Sequence, residues 1–143
     1  EKSIYWIDDL PFVAAIIMGQ IKTNKIINPV SVFKDDSDEK FALKLFHNTI
    51  NNNKEYEGII VKFSKNWELD RIAIMDQLFL KMAFAEIFSM EDLPVKVSMN
   101  EYIEISKYYG AAKSKLFVNG LLDNVVKTYT REGKIKKIGR GLV

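Results

Sequence analysis

Apolar residues recur at helical spacing along most of this 143-residue chain. The segment 70–90 is apolar on nearly every side, which predicts a buried central helix. The segments 93–110 and 114–126 carry apolar residues on one face, as surface helices do. Three earlier segments show a similar helical pattern, namely 9–21, 38–51 and 54–65. The chain is therefore predicted to be an all-α domain made of two small packed helical bundles.

Polar residues and glycines predict where the last helices begin and end. Ser98 is followed three residues later by Glu101, which is the spacing of a capping box at a helix start. Gly110 is suited to a left-handed stop, and Ser114 is suited to cap the next helix. Gly120 lies inside that helix, where it costs about 1 kcal/mol relative to alanine. We expect close approach of another backbone to compensate for that cost.

The first half of the chain has weaker but similar signals. Asp8 or Asp9 is suited to cap a first helix whose first turn accepts Pro11. The pieces 26–27 and 30–33 are predicted to be extended. The inward faces of the next two predicted helices are Ala42, Leu45, Phe46, Thr49 and Ile50 in one, and Tyr56, Ile59, Ile60 and Phe63 in the other.

The overall composition is that of a globular domain, with 48% apolar and 28% charged residues. The apolar segment 70–90 contains Asp76, Lys81 and Glu86, which argue against a bilayer span. No signal peptide pattern is present. We therefore expect a cytoplasmic protein without a membrane segment.

Catalytic chemistry finds little support in the sequence. Asp70 and Asp76 are six residues apart, so they lie on different faces of a helix and cannot act as a carboxylate pair. Glu101 and Glu104 share a face, but no nucleophile or base accompanies them. The chain has no cysteine and a single histidine, His47, which excludes Cys–His nucleophiles and histidine metal clusters. We predict no enzyme activity, no metal site and no cofactor.

Charge is distributed unevenly along the chain, whose net charge is +2. From Lys127 onward six basic residues face one acidic residue, so this end carries +5 and the rest carries −3. Such a basic end is suited to phosphate contact, although basic termini are usually just solvated. We divide the chain into an N-terminal helix and connection (1–35), a helical domain (36–128) and a basic flexible tail (129–143).

The second half of the chain resembles the NusB family. The resemblance rests on LPVKV at 93–97, NE at 100–101, the glycine at 110 and FVNGLLD at 117–123, all in the order and spacing of that family. The buried helix agrees as well, with IMD at 74–76 and MAFAEI at 82–87. Together these elements cover about residues 36 to 128.

The resemblance implies an all-helical factor of bacterial transcription antitermination. Members of this family bind boxA-type RNA jointly with NusE, a ribosomal protein, in RNA polymerase complexes that transcribe ribosomal RNA. Family members occur as monomers and as dimers, so the resemblance leaves homodimer formation open.

Four residues around the loop after Gly110 are our candidates for RNA binding. The rings of Tyr109 and Phe117 flank this loop and are suited to stack unpaired bases, while Lys113 and Lys115 hold the phosphates. The alternative is that both aromatic rings simply pack in the core.

The resemblance also places contacts with NusE at Asp76 and Leu80. The alternative for Asp76 is an exposed acid that solvates a buried helix. The family commonly has an arginine where this chain has Gln77, and an acidic residue where it has Lys113. The lysine makes the loop basic and favours phosphate contact.

One family element is missing from this chain. The family carries an arginine-rich stretch on an N-terminal helix, whereas the first predicted helix here is apolar. We therefore expect this chain to be part of a longer, divergent member of the family.

Two other functions remain as alternatives. The same helical fold resembles the N-terminal RNA-binding domain of some ribosomal-RNA cytosine methyltransferases, which would require a catalytic domain downstream. A degenerate module that contacts only protein is the other alternative, and it would show no affinity for RNA.

Overall fold

The computed structural model describes residues 5–23, 33–64 and 69–137, and for residues 5–9 it describes the backbone alone. These residues form six α-helices and no strand, so the all-α prediction is confirmed. The helices are α1 (Tyr5–Thr23), α2 (Asp36–Asn51), α3 (Asn53–Phe63), α4 (Ile74–Ser89), α5 (Val95–Tyr109) and α6 (Ser114–Arg131), with a 3₁₀ turn at Leu69–Arg71 before α4. None of the described helices is both long and apolar enough to cross a membrane.

The chain divides into two compact units, residues 1–36 and 37–143. The smaller unit contains α1, and none of its described side chains is buried. This helix begins four residues earlier than predicted, so Asp8 and Asp9 lie within it rather than at its cap. Pro11 consequently lies inside the helix rather than in its first turn. The extended piece predicted around 26–33 falls outside the described residues, except for Phe33.

Helix α4 forms the centre of the larger unit and packs against α3, α5 and α6. Its buried residues occur on several sides of the helix, as the sequence predicted. The core side chains with almost no exposed surface are Ile60 of α3, Leu80, Phe84 and Ile87 of α4, Val95 of α5, and Val118, Leu122 and Val125 of α6.

The two helices before α4 differ in how deeply they are buried. In α3, Tyr56, Ile59 and Ile60 are buried, which confirms the inward face predicted for that helix. Helix α2 has no buried residue, and Phe46 and Ile50 of its predicted inward face are exposed. The prediction failed there because only Leu45 of that apolar stripe packs against the core.

The predicted capping box at Ser98 is wrong. Helix α5 begins four residues earlier than that cap predicts, at Val95, with Pro94 in an extended conformation at the N-cap position. Ser98 therefore falls inside the helix, on the buried face that it shares with Val95 and Tyr102. The predicted cap at Ser114 is also wrong, because Ser114 is the first residue of α6 and its hydroxyl has no hydrogen-bond partner among the described residues.

Two glycines have roles opposite to those predicted. Gly110 has φ −92° and ψ 176°, which is extended and not left-handed. A Cβ there would lie 2.5 Å from the carbonyl oxygen of Ser106 and would also collide with Ser114. Gly120 is exposed, and a Cβ there would meet nothing within 4 Å, so the predicted close backbone approach is wrong.

The chain from residue 129 onward makes defined contacts with the helical domain, as far as the structure describes it. Helix α6 runs beyond its predicted end because the Tyr129 ring stacks on that of Phe88, with centroids 5.8 Å apart. Further along, the Nζ of Lys137 donates a hydrogen bond of 2.6 Å to the carbonyl oxygen of Met90. This end of the chain therefore packs against the segment that joins α4 to α5.

A buried carboxylate lies in the core between α4 and α5. Glu86 is 6% exposed, and its Oε2 accepts a hydrogen bond of 3.0 Å from the hydroxyl of Tyr102. Burial and the nearby Glu86 charge raise the pKa of Tyr102 above its ordinary value, so the hydroxyl stays protonated and able to donate. An ionised carboxylate without such a donor is costly in a buried position.

We predict that Tyr102→Phe destabilises the domain by about 1–3 kcal/mol, because Glu86 loses its donor while remaining buried. Urea unfolding followed by circular dichroism measures this effect. The matched control is Tyr108→Phe on the same helix, where the ring is exposed, and we expect a change within about 0.5 kcal/mol. Equal stability of the two variants would contradict the role assigned to this hydrogen bond.

We also predict opposite effects for alanine at the two glycines. Gly120→Ala is expected to stabilise the domain by up to about 1 kcal/mol, because the site is open and alanine favours helix. Gly110→Ala is expected to destabilise it by about 1–3 kcal/mol through overpacking against Ser106 and Ser114. Urea midpoints test both, and a destabilised Gly120→Ala variant would show that α6 is constrained by another contact at this position.

Candidate nucleic-acid interface

The connection between α5 and α6 is short and sharply turned. Gly110 allows α5 to end against the start of α6, because a side chain at this position would collide with Ser106 and Ser114. The turn is closed by a hydrogen bond of 2.9 Å from the backbone N–H of Ser114 to the carbonyl oxygen of Ala111. The last residue of α5 and the first turn of α6 are therefore held close together.

The structure places all four predicted RNA-binding residues at this loop. Tyr109 is 40% exposed at the end of α5, and Lys113 and Lys115 are exposed. Phe117 is partly buried and packs against the hydrophobic core. Part of the Phe117 ring therefore packs in the core, as the alternative to base stacking predicted. The Tyr109 ring offers more surface on which a base could stack.

The lysines of this region differ in their partners. Glu104 accepts contacts from Lys107 at 3.3 Å and from Lys115 at 3.4 Å. These two lysines hold the pKa of Glu104 below its usual range, and Lys107 has the larger effect. Lys113 has no ion pair with any residue in the described ranges. It is thus the lysine whose charge is most available to a phosphate.

A cavity of about 490 Å³ lies beside the loop, and we call it the loop cavity. One side consists of the 3₁₀ turn and the start of α4, including Arg71 and Asp76. The other side consists of the loop and the first turn of α6, including Lys113, Ser114 and Phe117. The cavity is therefore lined both by Asp76, a predicted partner-binding residue, and by Lys113 and Phe117, two predicted RNA-binding residues.

Asp76 and Leu80 are both buried in this structure. Asp76 is 6% exposed and Leu80 has no exposed surface, so neither offers a broad contact surface to a partner. The alternative that Asp76 is an exposed acid is wrong. Its spacing of four residues from Leu80 and seven from Ala83 places it on a buried face of α4. That spacing was the signal that sequence reasoning missed.

Two polar residues of the loop cavity were not predicted as site residues. Arg71 lies at the end of the 3₁₀ turn, and Ser114 was assigned to a helix cap. No local pattern marks Arg71, because its position depends on how the 3₁₀ turn packs against the loop.

The fold and the loop define a class of small all-α domains in which a basic, aromatic-flanked loop joins the last two helices. The model of the NusB family matches residues 18–127 of the chain. This chain belongs to the NusB family, as the motifs at 93–97 and 117–123 predicted.

Named relatives agree with this assignment. The chain is 41% identical over 122 residues to the transcription antitermination protein NusB of Chloroherpeton thalassium, covering 85% of this chain and 58% of that protein. It is 40% identical over 114 residues to the protein of the same name from Salinibacter ruber, covering 80% of this chain and 71% of that protein. The chain thus spans somewhat more than half the length of the first relative.

The fold also matches a solved structure. The structure of T. maritima NusB aligns with a TM-score of 0.65 and 25% identity, covering 85% of this chain and 89% of the other. The likeness therefore includes most of both chains.

Proposed function

We propose that this chain is part of a transcription antitermination factor that binds boxA-type RNA jointly with NusE. The complex would act with RNA polymerase during transcription of ribosomal RNA. Membership of the NusB family supports this proposal, as do the names of its relatives. The proposed function is not enzymatic.

The observation that carries the proposal is the exposed Lys113 beside Tyr109 and the loop cavity. Recognition of single-stranded RNA combines a cation for the backbone with aromatic or apolar surfaces for the bases. The loop supplies both within a few residues. The charge of Lys115 is less available to a phosphate than that of Lys113, because Lys115 and Lys107 both contact Glu104.

For NusE we propose a surface on the exposed side of α4. The resemblance places partner contacts at Asp76 and Leu80, but their side chains are buried in this structure. On the same stretch of helix, Ile74 is 80% exposed and Leu78 is also exposed. They line a second cavity of about 460 Å³ together with Ile50 of α2. In this proposal, Asp76 and Leu80 support that stretch of α4 from its inner side.

No observation favours the methyltransferase alternative, since both named relatives carry the name of an antitermination protein. A module that contacts only protein is distinguished by experiment. Fluorescence anisotropy with boxA-like and scrambled RNA, with and without NusE, separates such a module from the proposed RNA-binding factor. Light scattering of the free chain measures its mass in solution. A mass of twice that of the chain would identify a homodimer.

We predict that Lys113→Glu weakens binding of boxA-like RNA and flattens its salt dependence by about 0.7 in logarithmic slope for each phosphate that is no longer neutralised. Anisotropy titrations at several salt concentrations measure both quantities. The matched control is Lys96→Glu, an exposed lysine in the first turn of α5, at the opposite end of that helix from the loop. Unchanged affinity and slope in Lys113→Glu would remove the loop from the proposed RNA interface.

We predict that Leu78→Glu raises the Kd for purified NusE roughly tenfold or more, because a charge replaces an apolar side chain at the proposed interface. Titration calorimetry measures this change. Binding of RNA alone should stay the same, because Leu78 lies outside the loop cavity. The matched control is Val97→Glu, an exposed apolar residue of α5. Equal NusE affinity in both variants and the parent chain would contradict the proposed surface.

A further inference from the structure

The loop cavity has the size and lining of a small-ligand site. Its volume of about 490 Å³ lies within the range typical of such sites, and much of its wall is apolar. Ile72 and Ala73 line it from the α4 side, and Leu116 and Phe117 line it from the α6 side. A flat, partly apolar group would bury its faces against this lining.

Two polar side chains of the cavity have unused hydrogen-bonding capacity. The Oδ1 of Asp76 and the Oγ of Ser114 are closed to solvent, and neither has a hydrogen-bond partner among the described residues. Asp76 is 6% exposed and Ser114 is 2% exposed, so water does not compensate fully. The terminal torsion of an aspartate rotates readily, which allows either oxygen to face the cavity. The interior of the cavity therefore favours a ligand that brings hydrogen-bond donors to a carboxylate.

The rim of the cavity has the opposite charge. Arg71 and Lys113 are exposed there, on either side of the opening. They disfavour entry of a lysine or arginine side chain from a protein partner and favour a phosphate. A ligand with N–H donors at its inner end and a phosphate at its outer end satisfies both the interior and the rim. A nucleotide has this arrangement.

We propose that the loop cavity binds one unpaired guanine of the RNA, an inference that rests on the proposed function. Guanine carries adjacent N1–H and N2–H donors, and the Asp76 oxygen that faces the cavity has two lone pairs to accept both. Adenine and cytosine present an acceptor nitrogen beside their amino group, and uracil has a single N–H between two carbonyls. Guanine is therefore the base whose two adjacent donors match a carboxylate.

The test compares short uridine-rich RNAs that differ only at one position, which is guanine, inosine or adenine. Inosine lacks the N2 amino group and keeps N1–H and O6. We expect the parent chain to bind the guanine RNA about tenfold more tightly than the inosine RNA, because the inosine RNA forms one charge-assisted hydrogen bond fewer. In Asp76→Asn this preference should disappear. Equal affinity of the parent chain for all three RNAs would overturn the proposal while leaving the proposed RNA-binding function intact.

Three further outcomes are distinguishable. Circular dichroism establishes whether Asp76→Asn folds, and if it does not, the guanine–inosine comparison on the parent chain decides alone. If no RNA binds, the proposed function fails, and NMR titration with guanosine monophosphate against adenosine monophosphate then tests the cavity by itself. Selective shifts of Asp76 and Ser114 with the guanine nucleotide would support the site. A loss of NusE binding in Asp76→Asn, with the guanine preference retained, would assign the carboxylate to the protein partner and overturn the proposal.

Discussion

Burial of α4 is the constraint on which the larger unit depends. This helix has apolar residues on several sides, so it is stable only when α3, α5 and α6 cover it together. Removing that many side chains from water supplies most of the driving force for the unit. It also encloses two carboxylates, Asp76 and Glu86. Glu86 is satisfied inside the protein by Tyr102, whereas Asp76 has a buried oxygen without a partner among the residues described.

The packing around α4 also fixes the position of the α5–α6 loop. Both helices that flank the loop contact α4, and the close approach of Ser114 to α5 leaves room only for glycine at position 110. The loop is therefore presented on a rigid support, with Lys113 exposed and Phe117 anchored in the core. A preorganised site of this kind loses little conformational entropy when it binds a ligand. The core and the candidate site are in this sense consequences of the same packing.

Sequence reasoning succeeded where the signal was local and periodic. The spacing of Tyr56, Ile59 and Ile60 predicted the inward face of α3, and the motifs at 93–97 and 117–123 predicted the family. It failed where tertiary contacts decide the outcome. Ser98 has the spacing of a cap, but Pro94 starts the helix earlier and turns that residue inward. The opening of the loop cavity depends on how separate helices meet, which no local pattern encodes.

A second basic and aromatic surface offers a direct comparison with the loop. The Nζ atoms of Lys62 and Lys134 lie 5.5 and 4.7 Å from the centre of the Tyr129 ring. Aromatic contact and positive charge are therefore present there too. That surface differs from the loop because Lys134 is already paired with Glu132 at 2.6 Å. If charge and aromatic contact alone determined RNA binding, the two surfaces would compete.

The most direct test of the account is to map where the RNA touches the protein. The measurement is photo-crosslinking of boxA-like RNA that carries 4-thiouridine, followed by mass spectrometry of the crosslinked peptides. We expect crosslinks in the segment from Tyr109 to Phe117 and at Arg71. Crosslinks confined to the surface around Tyr129, with none at the loop, would contradict it.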